Sequence, residues 1–477
     1  MIIEDRLLKM EINALDTLSP LDGRYARHTK ELSDYFSEWA LMSYRIEVEA
    51  QYLIALSEHP LVGVREFSDQ EKEQVRLLGS LSLQDAAMIK AIETEGYGDI
   101  KATNQDVKAV EYYMKERLKG TSLEDSLEWI HFALTSEDVN NAAYSSMLRD
   151  ALCSIILPAV EKLYETISEL ADKYSDVPML ARTHGQPASP TTFGKEMRVF
   201  SSRIDRQITQ LEEAEIMVKL NGATGNYNAH VAAYPDVDWL KFTEDFVERL
   251  NGLNPSALIE LKPNLVTTQI EPHDSYAEIF DNLARLNKVI LGFNQDMWRY
   301  ISDGWVVQKP VEGEVGSSTM PHKVNPIDFE NSEGNLGMAN DNLRHLSDKL
   351  QVSRLQRDLS DSTVQRNIGV ALAYSLIAYK SALNGLSKIF LNEEKVVSEL
   401  EERPEIIAEG IQTILRREGV QMPYEKLKEL TRGRKVTLDD FRDFIEGMDL
   451  YPDVKDELLK ITPTNYTGIA QLIARNH

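Results

Sequence analysis

One stretch of the chain indicates the fold class by itself: Asp274-Ser-Tyr-Ala-Glu-Ile-Phe-Asp-Asn-Leu-Ala-Arg-Leu-Asn-Lys-Val-Ile-Leu-Gly-Phe-Asn-Gln-Asp-Met-Trp-Arg-Tyr-Ile-Ser-Asp303. Its apolar side chains recur at steps of three and four residues, at Ile279, Leu283, Leu286, Ile290, Phe293, Met297 and Ile301. That spacing lines one face of an α-helix. At about 1.5 Å per residue, the stretch forms a rod of roughly 45 Å. The pattern therefore predicts a single long helix.

Similar apolar spacing predicts further helices on both sides of this stretch. The predicted helices run from Pro158 to Tyr174, from Phe193 to Leu211, from Asn331 to Leu350 and from Ile368 to Leu386. Several rods with near-heptad spacing favour an all-α fold built on a bundle of nearly parallel helices. Rods of this length usually share apolar seams with other subunits, so we expect a homo-oligomer.

The rods suggest three domains. We expect an N-terminal helical domain at 1–124, a central long-helix bundle at 125–386 and a C-terminal helical domain at 387–477. A chain of 477 residues exceeds what one hydrophobic core usually organises, and 42% hydrophobic residues suffice to fill several cores.

The charge balance narrows the class of partner. Lys plus Arg number 52 and Asp plus Glu number 77, which gives 52 − 77 = −25. This negative charge argues against nucleic acid or a membrane surface as partner. A small anionic substrate is still compatible with it, if a local cluster of basic side chains binds that substrate. The single cysteine, Cys153, excludes an internal disulfide and fits a cytoplasmic protein. The nine histidines form no His-Glu-x-x-His pattern, so neither a metal nor another cofactor is implied.

A loop ahead of the predicted helix at 331–350 has the composition of a catalytic segment. It reads Gly313-Glu-Val-Gly-Ser-Ser-Thr-Met-Pro-His-Lys-Val-Asn-Pro326. The two glycines let the backbone bend or close over a ligand, and three hydroxyls follow them at 317–319. Asn325-Pro326 is a typical helix start. A polar surface loop ahead of a helix is the structural alternative.

Two other polar connectors carry candidate site residues. His184 lies in Arg182-Thr-His-Gly-Gln-Pro-Ala188, and a histidine can donate or accept a proton near neutral pH. The alternative is a histidine hydrogen-bonded to the backbone of a turn. Thr135 and Ser136, followed by Asp138, either cap a helix or hold a carboxylate of a ligand.

The segment Arg354–Arg366 predicts a phosphate site. Ser362 as a helix cap would leave free amides at the helix start, and Arg366, four residues on, would project from the same face. An ordinary capped helix whose arginines pair with Asp358 and Asp361 is the alternative. Upstream, Gln269 stands in a turn-rich segment whose last residues, at 273–274, are expected to cap the long helix.

These motifs resemble known ones. Gly-Ser-Ser-x-Met-Pro-x-Lys-x-Asn, at 316–325, resembles the signature of the fumarase/aspartase superfamily. Thr-His-Gly-Gln-Pro-Ala, at 183–188, and Ser-Pro-Leu-Asp-Gly-Arg-Tyr, at 19–25, resemble the adenylosuccinate lyase family within it. The resemblance implies a three-domain all-α fold, a homotetramer with active sites shared between chains, and a β-elimination. That reaction releases fumarate from adenylosuccinate, leaving AMP, and from SAICAR, leaving AICAR.

The resemblance also implies roles for individual residues. Ser317 is implied as the general base, His184 as the general acid, Glu330 as the carboxylate paired with His184, and Lys323 as a positive group that stabilises the carbanion. The implied substrate-binding residues are Arg24, Tyr25, Asn104, Gln105, Asp106, Thr135, Ser136, Gln269, Ser318, Asn325, Asn331, Arg357, Ser362, Thr363 and Arg366. Among them, Arg24, Tyr25, Arg357, Ser362 and Arg366 are implied to contact the phosphate, and Thr135 and Ser136 the succinyl group.

One residue departs from the family pattern. Gln105 stands where the family commonly has histidine, in Asn104-Gln-Asp106. Glutamine cannot act as an acid or base. If the family histidine does acid or base work, the activity of this protein should be weaker or have a different pH dependence. If that histidine only hydrogen-bonds the substrate, glutamine can replace it. His131 is a possible compensator, although we expect a histidine packed in a helix. Two other functions compete with this one. The protein could be another fumarate-releasing lyase of the superfamily, or it could be a non-catalytic scaffold or nucleotide-binding module.

Overall fold

The computed structural model describes residues 15–309, 320, 323–433 and 435–476. The helices in this part of the chain are α1 Ala26–Thr29, α2 Ser33–Phe36, α3 Glu38–Glu58, α4 Asp69–Leu77, α5 Leu83–Thr94, α6 Asp106–Leu118, α7 Ser136–Ala151, α8 Leu157–Lys173, α9 Phe193–Glu212, α10 Asn228–Ala233, α11 Trp239–Asn251, α12 Asp274–Ser302, α13 Ile327–Leu350, α14 Ser360–Gln365, α15 Ile368–Ser387, α16 Glu393–Glu401, α17 Ala408–Arg417, α18 Pro423–Thr431, α19 Leu438–Glu446, α20 Pro452–Leu459 and α21 Ala470–Asn476. Short 3₁₀ or π turns lie at Lys30–Leu32, Glu124–Trp129, Leu152–Ile156 and Pro404–Ile407.

The strands in the described residues are short and pair two by two. They are β1 Pro178–Met179, β2 Arg182–Thr183, β3 Gln186–Pro187, β4 Thr191–Thr192, β5 Glu215–Val218, β6 Glu260–Pro263, β7 Val306–Gln308 and β8 Ile389–Leu391. The pairs are β1 with β4, β2 with β3, β5 with β6 and β7 with β8. The predicted helical fold class is confirmed, with these small pairs added to it. None of the helices in the described residues is long and apolar enough to span a bilayer.

The long rods lie where the apolar spacing placed them. The predicted helix at 274–303 is α12, and the structure gives α8, α9 and α15 bounds within one residue of the predicted ones. Helix α13 begins at Ile327, four residues before the predicted start and directly after Pro326. The Pro326 carbonyl accepts the N–H groups of Phe329 and Glu330, so the Asn-Pro start signal, rather than the apolar spacing, marks the true beginning.

Helix α12 buries the face that its spacing defines. Six of its seven periodic side chains are at most 1% exposed: Ile279, Leu283, Leu286, Ile290, Phe293 and Met297. The seventh, Ile301, is half-buried near the helix end. A continuous buried stripe of this kind is the main source of stability for a helix in a folded protein.

A buried polar network fixes how α12, α13 and α15 pack. Asn287 on α12 donates to Asn340 on α13 and to Ser375 on α15, at 3.1 and 3.0 Å. Tyr379 on α15 donates its hydroxyl to the Asn287 Oδ1 at 2.5 Å. Sliding any of these helices along another would leave buried polar atoms without partners, which costs about 1–3 kcal/mol for each group. The network therefore sets the register of the three helices.

The chain folds into two compact units. Unit 1 takes the described residues of Met1–Val160, Gln207–Lys288 and Gly334–Lys380, and unit 2 takes those of Glu161–Arg206, Val289–Glu333 and Ser381–His477. Unit 2 has its own packing between long helices, because Phe293 stacks edge-on with Phe200 and Asn294 donates to Ser332 at 2.8 Å. The division into domains 1–124, 125–386 and 387–477 stays a prediction.

Replacing Tyr379 by Phe tests the polar network. The change removes the donor to Asn287 and leaves its buried oxygen unsatisfied, so we expect the free energy of unfolding to fall by about 1–3 kcal/mol. Urea-induced unfolding followed by circular dichroism measures the effect. Tyr424→Phe is the control, because Tyr424 is 52% exposed. Equal midpoints for both variants would contradict a register-setting role for the network.

Candidate active site

The candidate site of unit 1 is built on the start of α7. Helix α7 begins at Ser136 and is preceded by Thr135, so both predicted residues stand where the first backbone amides point out of the helix. The Asp138 carboxylate accepts the Thr135 N–H at 2.8 Å. The predicted helix start is therefore confirmed. Its free amides and two hydroxyls suit an anion such as a carboxylate.

A buried ion pair fixes this helix start. Asp138 Oδ1 lies 2.6 Å from the Lys219 Nζ, and both side chains are 0% exposed. The same oxygen accepts the backbone N–H groups of Asn221 and Gly222, at 3.0 and 3.2 Å. Lys219 also donates to the Gly222 carbonyl at 3.1 Å. Because the charges are paired and hydrogen-bonded, the start of α7 is held against the segment at 219–222.

Gln105 connects α6 to the Ser136 hydroxyl. Its Oε1 accepts the Lys108 N–H and caps α6, and its Nε2 donates to the Ser136 Oγ at 2.9 Å. The Ser136 hydroxyl therefore accepts from Gln105 and keeps its own proton for a bound carboxylate. The preceding Asn104 is exposed and has a φ of 50°, which is uncommon for residues other than glycine.

Asp106 bridges two arginines beside Gln105. Its Oδ2 lies 2.7 Å from the Arg45 Nη2 and 3.2 Å from the Arg366 Nη2. Arg45 also donates to the Asn140 Oδ1 at 2.9 Å, and Arg366 reaches Glu38 at 3.3 Å. Burial alone would raise the pKa of Asp106, but the two arginines lower it below its usual value. The carboxylate is therefore ionised and anchors both cations.

Arg357 contacts two other predicted site residues, Ser362 and Gln269, and one that was not predicted, Glu137. Its Nη2 lies 3.1 Å from the Glu137 Oε2 and 3.0 Å from the Ser362 Oγ, and its Nη1 lies 3.3 Å from the Gln269 Oε1. Asp361 approaches the same guanidinium at 3.7 Å. The Arg357 side chain is 15% exposed, so it contacts solvent while most of it is enclosed. A guanidinium placed in this way suits a phosphate or carboxylate.

The predicted helix cap at Ser362 was wrong. Helix α14 begins two residues earlier, at Ser360, and has no side-chain cap at Leu359. The Asp358 carboxylate accepts the Ser360 N–H at 2.8 Å, and this local turn starts the helix before Ser362 is reached. Ser362 instead accepts from Arg357. Arg366 is the first residue after α14, and its partners are the carboxylates on α3 and α6 given above.

Three predicted substrate-binding residues lie at the surface or close to it. Arg24 is exposed and Tyr25 is half-buried in the turn before α1, and Thr363 is exposed on α14. Their contacts with substrate stay predictions.

In unit 2, His184 lies at the tip of a hairpin. Strands β2 and β3 pair Thr183 with Gln186, so His184 and Gly185 form the two-residue turn between them. Both have positive φ, 53° and 74°, which is the conformation of a type I′ turn. Histidine at such a position costs energy that Asn or Gly would not, and strained residues of this kind cluster at functional sites. The ring is exposed to solvent.

The start of α13 carries the other described site residues of unit 2. Glu330 is exposed and accepts from the Trp298 indole at 3.1 Å. Asn331 donates to the Ser381 Oγ at 2.9 Å. Lys323 is exposed and Asn325 half-buried ahead of the helix. Ser317 and Ser318 lie outside the described residues. The pairing of His184 with Glu330 stays a prediction, and within one chain Glu330 has the Trp298 contact instead.

His131 does not lie in a helix, so that expectation was wrong. It occupies a turn with a φ of 61°, where its Nδ1 lies 2.5 Å from the buried Glu49 Oε1 and its N–H donates to Glu49 Oε2 at 3.1 Å. Burial lowers the pKa of His131, but Glu49 more than offsets this, so the net shift is upward. The pair braces the turn that leads into Thr135.

Sequence reasoning missed several residues that hold the site in place. Arg45 and Lys219 are both buried charges, and Lys219 interrupts the apolar run from Ile216-Met217-Val218 to Leu220. Lone charges inside such runs are a usable signal, because a buried charge requires a partner. Glu137 gave no comparable signal, since it follows a helix start where acidic residues are common.

Comparisons with known proteins agree with these motifs. The family described as Lyase matches residues 23–339, and the one described as Adenylosuccinate lyase C-terminal matches residues 353–467. The chain is 48% identical over 466 residues to the adenylosuccinate lyase of Escherichia coli (strain K12), covering 97% of this chain and 98% of that one. It is 46% identical over 476 residues to the adenylosuccinate lyase of Dictyostelium discoideum, covering 96% and 98%.

Solved structures share the fold at low identity. The 3-carboxy-cis,cis-muconate lactonizing enzyme of Pseudomonas putida superposes with a TM-score of 0.68 at 18% identity, covering 93% of this chain and 95% of that one. The fumarate lyase of Mesorhizobium sp. BNC1 superposes with a TM-score of 0.67 at 17% identity, covering 94% and 97%. The predicted fumarase/aspartase-type fold is confirmed.

Replacing Lys219 by Met tests the buried ion pair. The change leaves the Asp138 charge buried without its partner, so we expect the free energy of unfolding to fall by about 3–5 kcal/mol. Thermal and urea-induced unfolding measure the loss. Lys241→Met is the matched control, since Lys241 pairs with Asp245 at 2.8 Å while both are more than half exposed, and it should change stability little. Similar effects of the two changes would contradict the role given to Lys219.

Proposed function

The chain belongs to the adenylosuccinate lyase family, and on that premise we propose how its residues share the elimination of fumarate. It is a C–N lyase that splits adenylosuccinate into fumarate and AMP, and SAICAR into fumarate and AICAR. The individual site residues below are proposals.

The reaction requires three kinds of group. A base removes a proton from the succinyl carbon beside a carboxylate, and the electron pair left behind delocalises onto that carboxylate. As the C–N bond breaks, this pair forms the C=C bond of fumarate, and the departing nitrogen takes a proton from an acid. Positive groups and hydrogen-bond donors must stabilise the carbanion, and such electrostatic help is usually the largest single contribution to catalysis.

Unit 1 supplies the anion-binding side, and the cluster around Arg357 is the observation that carries this assignment. Arg357 lies within 3.3 Å of both Ser362 and Gln269, and through Glu137 it is close to the hydroxyls and free amides at the start of α7. We assign the phosphate to Arg357 and Ser362, and a succinyl carboxylate to Thr135 and Ser136. We also assign Arg24, Tyr25, Thr363 and Arg366 to the phosphate side, and Asn104, Asp106 and Gln269 to the substrate surface.

Unit 2 supplies the acid and base side. Ser317 is the proposed base, and its alkoxide requires nearby positive charge and exclusion of water, because an ordinary serine hydroxyl is a very weak base. Lys323 and Asn325 meet the carbanion, with Ser318 and Asn331 beside them. His184 protonates the departing nitrogen, and its exposed position at a hairpin tip leaves the ring accessible to substrate. Glu330 is proposed to orient that ring.

We propose that the chain works as a homotetramer whose active sites are shared between subunits. Large apolar side chains are exposed along the long helices: Val199 on α9, Trp298 on α12, and Ile327 and Met338 on α13, each 41–56% exposed. We propose that these side chains pack against other subunits, as expected for helices of this length. The proposed site combines residues of neighbouring chains, and its acid His184 and its base Ser317 come from different ones.

We also propose a cytoplasmic location. A single cysteine, Cys153, fits a reducing compartment.

Variants at His184 and Ser317 test the proposed acid and base. His184→Gln removes the proton donor and Ser317→Ala removes the base, so each should lower kcat for adenylosuccinate by about 10²–10⁴-fold while the substrate still binds. Fumarate release, followed by absorbance, measures turnover. His59→Gln and Ser256→Ala are the controls, because neither residue belongs to the proposed site.

Mixing the two inactive variants extends this test. Shared sites predict that hybrid oligomers regain part of the activity, since some sites then combine an intact His184 with an intact Ser317. Turnover within tenfold of the unaltered protein in either single variant would remove that residue from its role. Failure to regain activity, with hybrid oligomers shown by mass spectrometry, would contradict sharing.

Gln105→His tests the meaning of the family departure. Gln105 hydrogen-bonds to Lys108 and Ser136, which supports our proposal that the residue at this position binds by hydrogen bonds and does no acid or base work. We therefore expect kcat to change less than about threefold, with no new inflection in its pH profile, since a residue that only hydrogen-bonds contributes no titration. A large gain in kcat that titrates near neutral pH would show that the family histidine does acid or base work.

A further inference from the structure

The guanidinium of Arg357 has more carboxyl groups around it than it can neutralise. Glu137 lies 3.1 Å away and Asp361 3.7 Å away, and both carboxyl side chains are at most 4% exposed. Two ionised carboxylates against one guanidinium would leave one buried negative charge in excess. Excess buried charge is strongly unfavourable, and a titratable group usually relieves it by taking up a proton.

Three atoms of this cluster are available to a ligand or a proton. Glu137 Oε1, Asp361 Oδ2 and Arg357 Nε are buried, and none makes a hydrogen bond of ordinary geometry. Buried polar atoms in native proteins are nearly always satisfied, so unsatisfied ones indicate a functional constraint or an absent partner. Here two acceptors and one donor remain unused around the residue assigned to the phosphate.

We propose that Glu137 is a positioning residue and a proton-linked counterion for this anion site: it holds Arg357 in place, and it takes up a proton when an anion binds Arg357. This inference rests on the proposed assignment of the phosphate to Arg357. Beyond the phosphate assignment, it gives Glu137 a role and couples anion binding to the uptake of a proton. A neutral Glu137 still accepts from Arg357 through its carbonyl oxygen, so the guanidinium keeps its orientation while its positive charge becomes available to the ligand.

The surroundings of Glu137 determine the direction of the linkage. Burial raises its pKa to about 7, and Arg357 offsets only part of that effect. The charged or titratable groups that face Glu137 and Arg357 are Asp361, Lys219, Tyr276 and His273. Lys219 is already paired with Asp138. Burial lowers the pKa of His273 to about 4, so His273 neither gains nor loses a proton near pH 7.

The linkage predicts tighter anion binding at lower pH. A second anion beside Arg357 favours the protonated form of Glu137, so by reciprocity the protonated form binds the anion better. With a pKa of about 7 in the free protein and a higher one in the complex, affinity falls by up to about tenfold between about pH 6 and pH 8. Sulfate is the suitable probe, because its own charge is constant across that range.

Isothermal titration of the full-length protein with sulfate measures the effect without depending on turnover. We expect the dissociation constant of the unaltered protein to rise up to about tenfold between pH 6 and pH 8. Glu137→Gln keeps the hydrogen-bond acceptor but cannot ionise, so its dissociation constants for sulfate at pH 6 and pH 8 should be nearly equal. Glu47→Gln is the matched control, because burial likewise raises the pKa of Glu47, which contacts Gln51 and no proposed site residue. It should keep the ratio of the two dissociation constants found for the unaltered protein.

A second readout needs no variant. Titrations near pH 7 in buffers of different ionisation enthalpy give the number of protons taken up with sulfate, expected to be about one half. The proposal would be overturned by any of three results. These are the same ratio of dissociation constants at pH 8 and pH 6 in the unaltered and Glu137→Gln proteins, no proton uptake, or no measurable sulfate binding. Failure of the proposed function has a different signature, which is no fumarate release from adenylosuccinate by the unaltered protein, whatever its sulfate binding.

Discussion

Asp138 and Lys219 form an ion pair with no solvent exposure, and the start of α7 depends on it. Charges at such depth are tolerated only when they are paired and their remaining hydrogen bonds are made. Asp138 meets this condition with the Lys219 ammonium and three backbone N–H groups, from Thr135, Asn221 and Gly222. Because these contacts must form together, they fix the position of the first turn of α7 and of the hydroxyls and free amides that it carries.

The remaining groups of unit 1 are arranged around that turn by further charge pairs. Gln105 reaches Ser136 from α6, and Asp106 holds Arg45 and Arg366 beside it. Glu137 ties Arg357 to α7 from the other side. In a chain with a net charge of −25, these arginines are positive groups that unit 1 can offer to an anionic nucleotide, although carboxylates pair with each of them. Each arginine has a carboxylate partner, so orientation is fixed before a ligand arrives.

Local patterns in the sequence predicted the long helices, the start of α7 and the polar connector that carries His184. They could do so because helix periodicity, capping and turn composition act over a few residues. The buried pairs could not be read in the same way. Lys219 and Asp138 are 81 positions apart, and Arg45 and Asp106 are 61 apart, so only the folded chain brings them together. The error at Ser362 has a different origin, because two nearby residues decide it: Asp358 starts α14 earlier and Arg357 donates to the Ser362 hydroxyl. Gln105 could be located by its departure from a family motif, but its bond to Ser136 could not.

A crystal structure of the unaltered protein with AMP and fumarate bound is the most direct test of a site built on the start of α7. The contacts described above predict the AMP phosphate within hydrogen-bond distance of Arg357 and Ser362, and a fumarate carboxylate on the Ser136 hydroxyl. The proposed acid and base, His184 and Ser317 of neighbouring subunits, should lie on opposite sides of the fumarate. An AMP phosphate bound by other side chains, with Arg357 and Ser136 both remote from the ligands, would contradict this site.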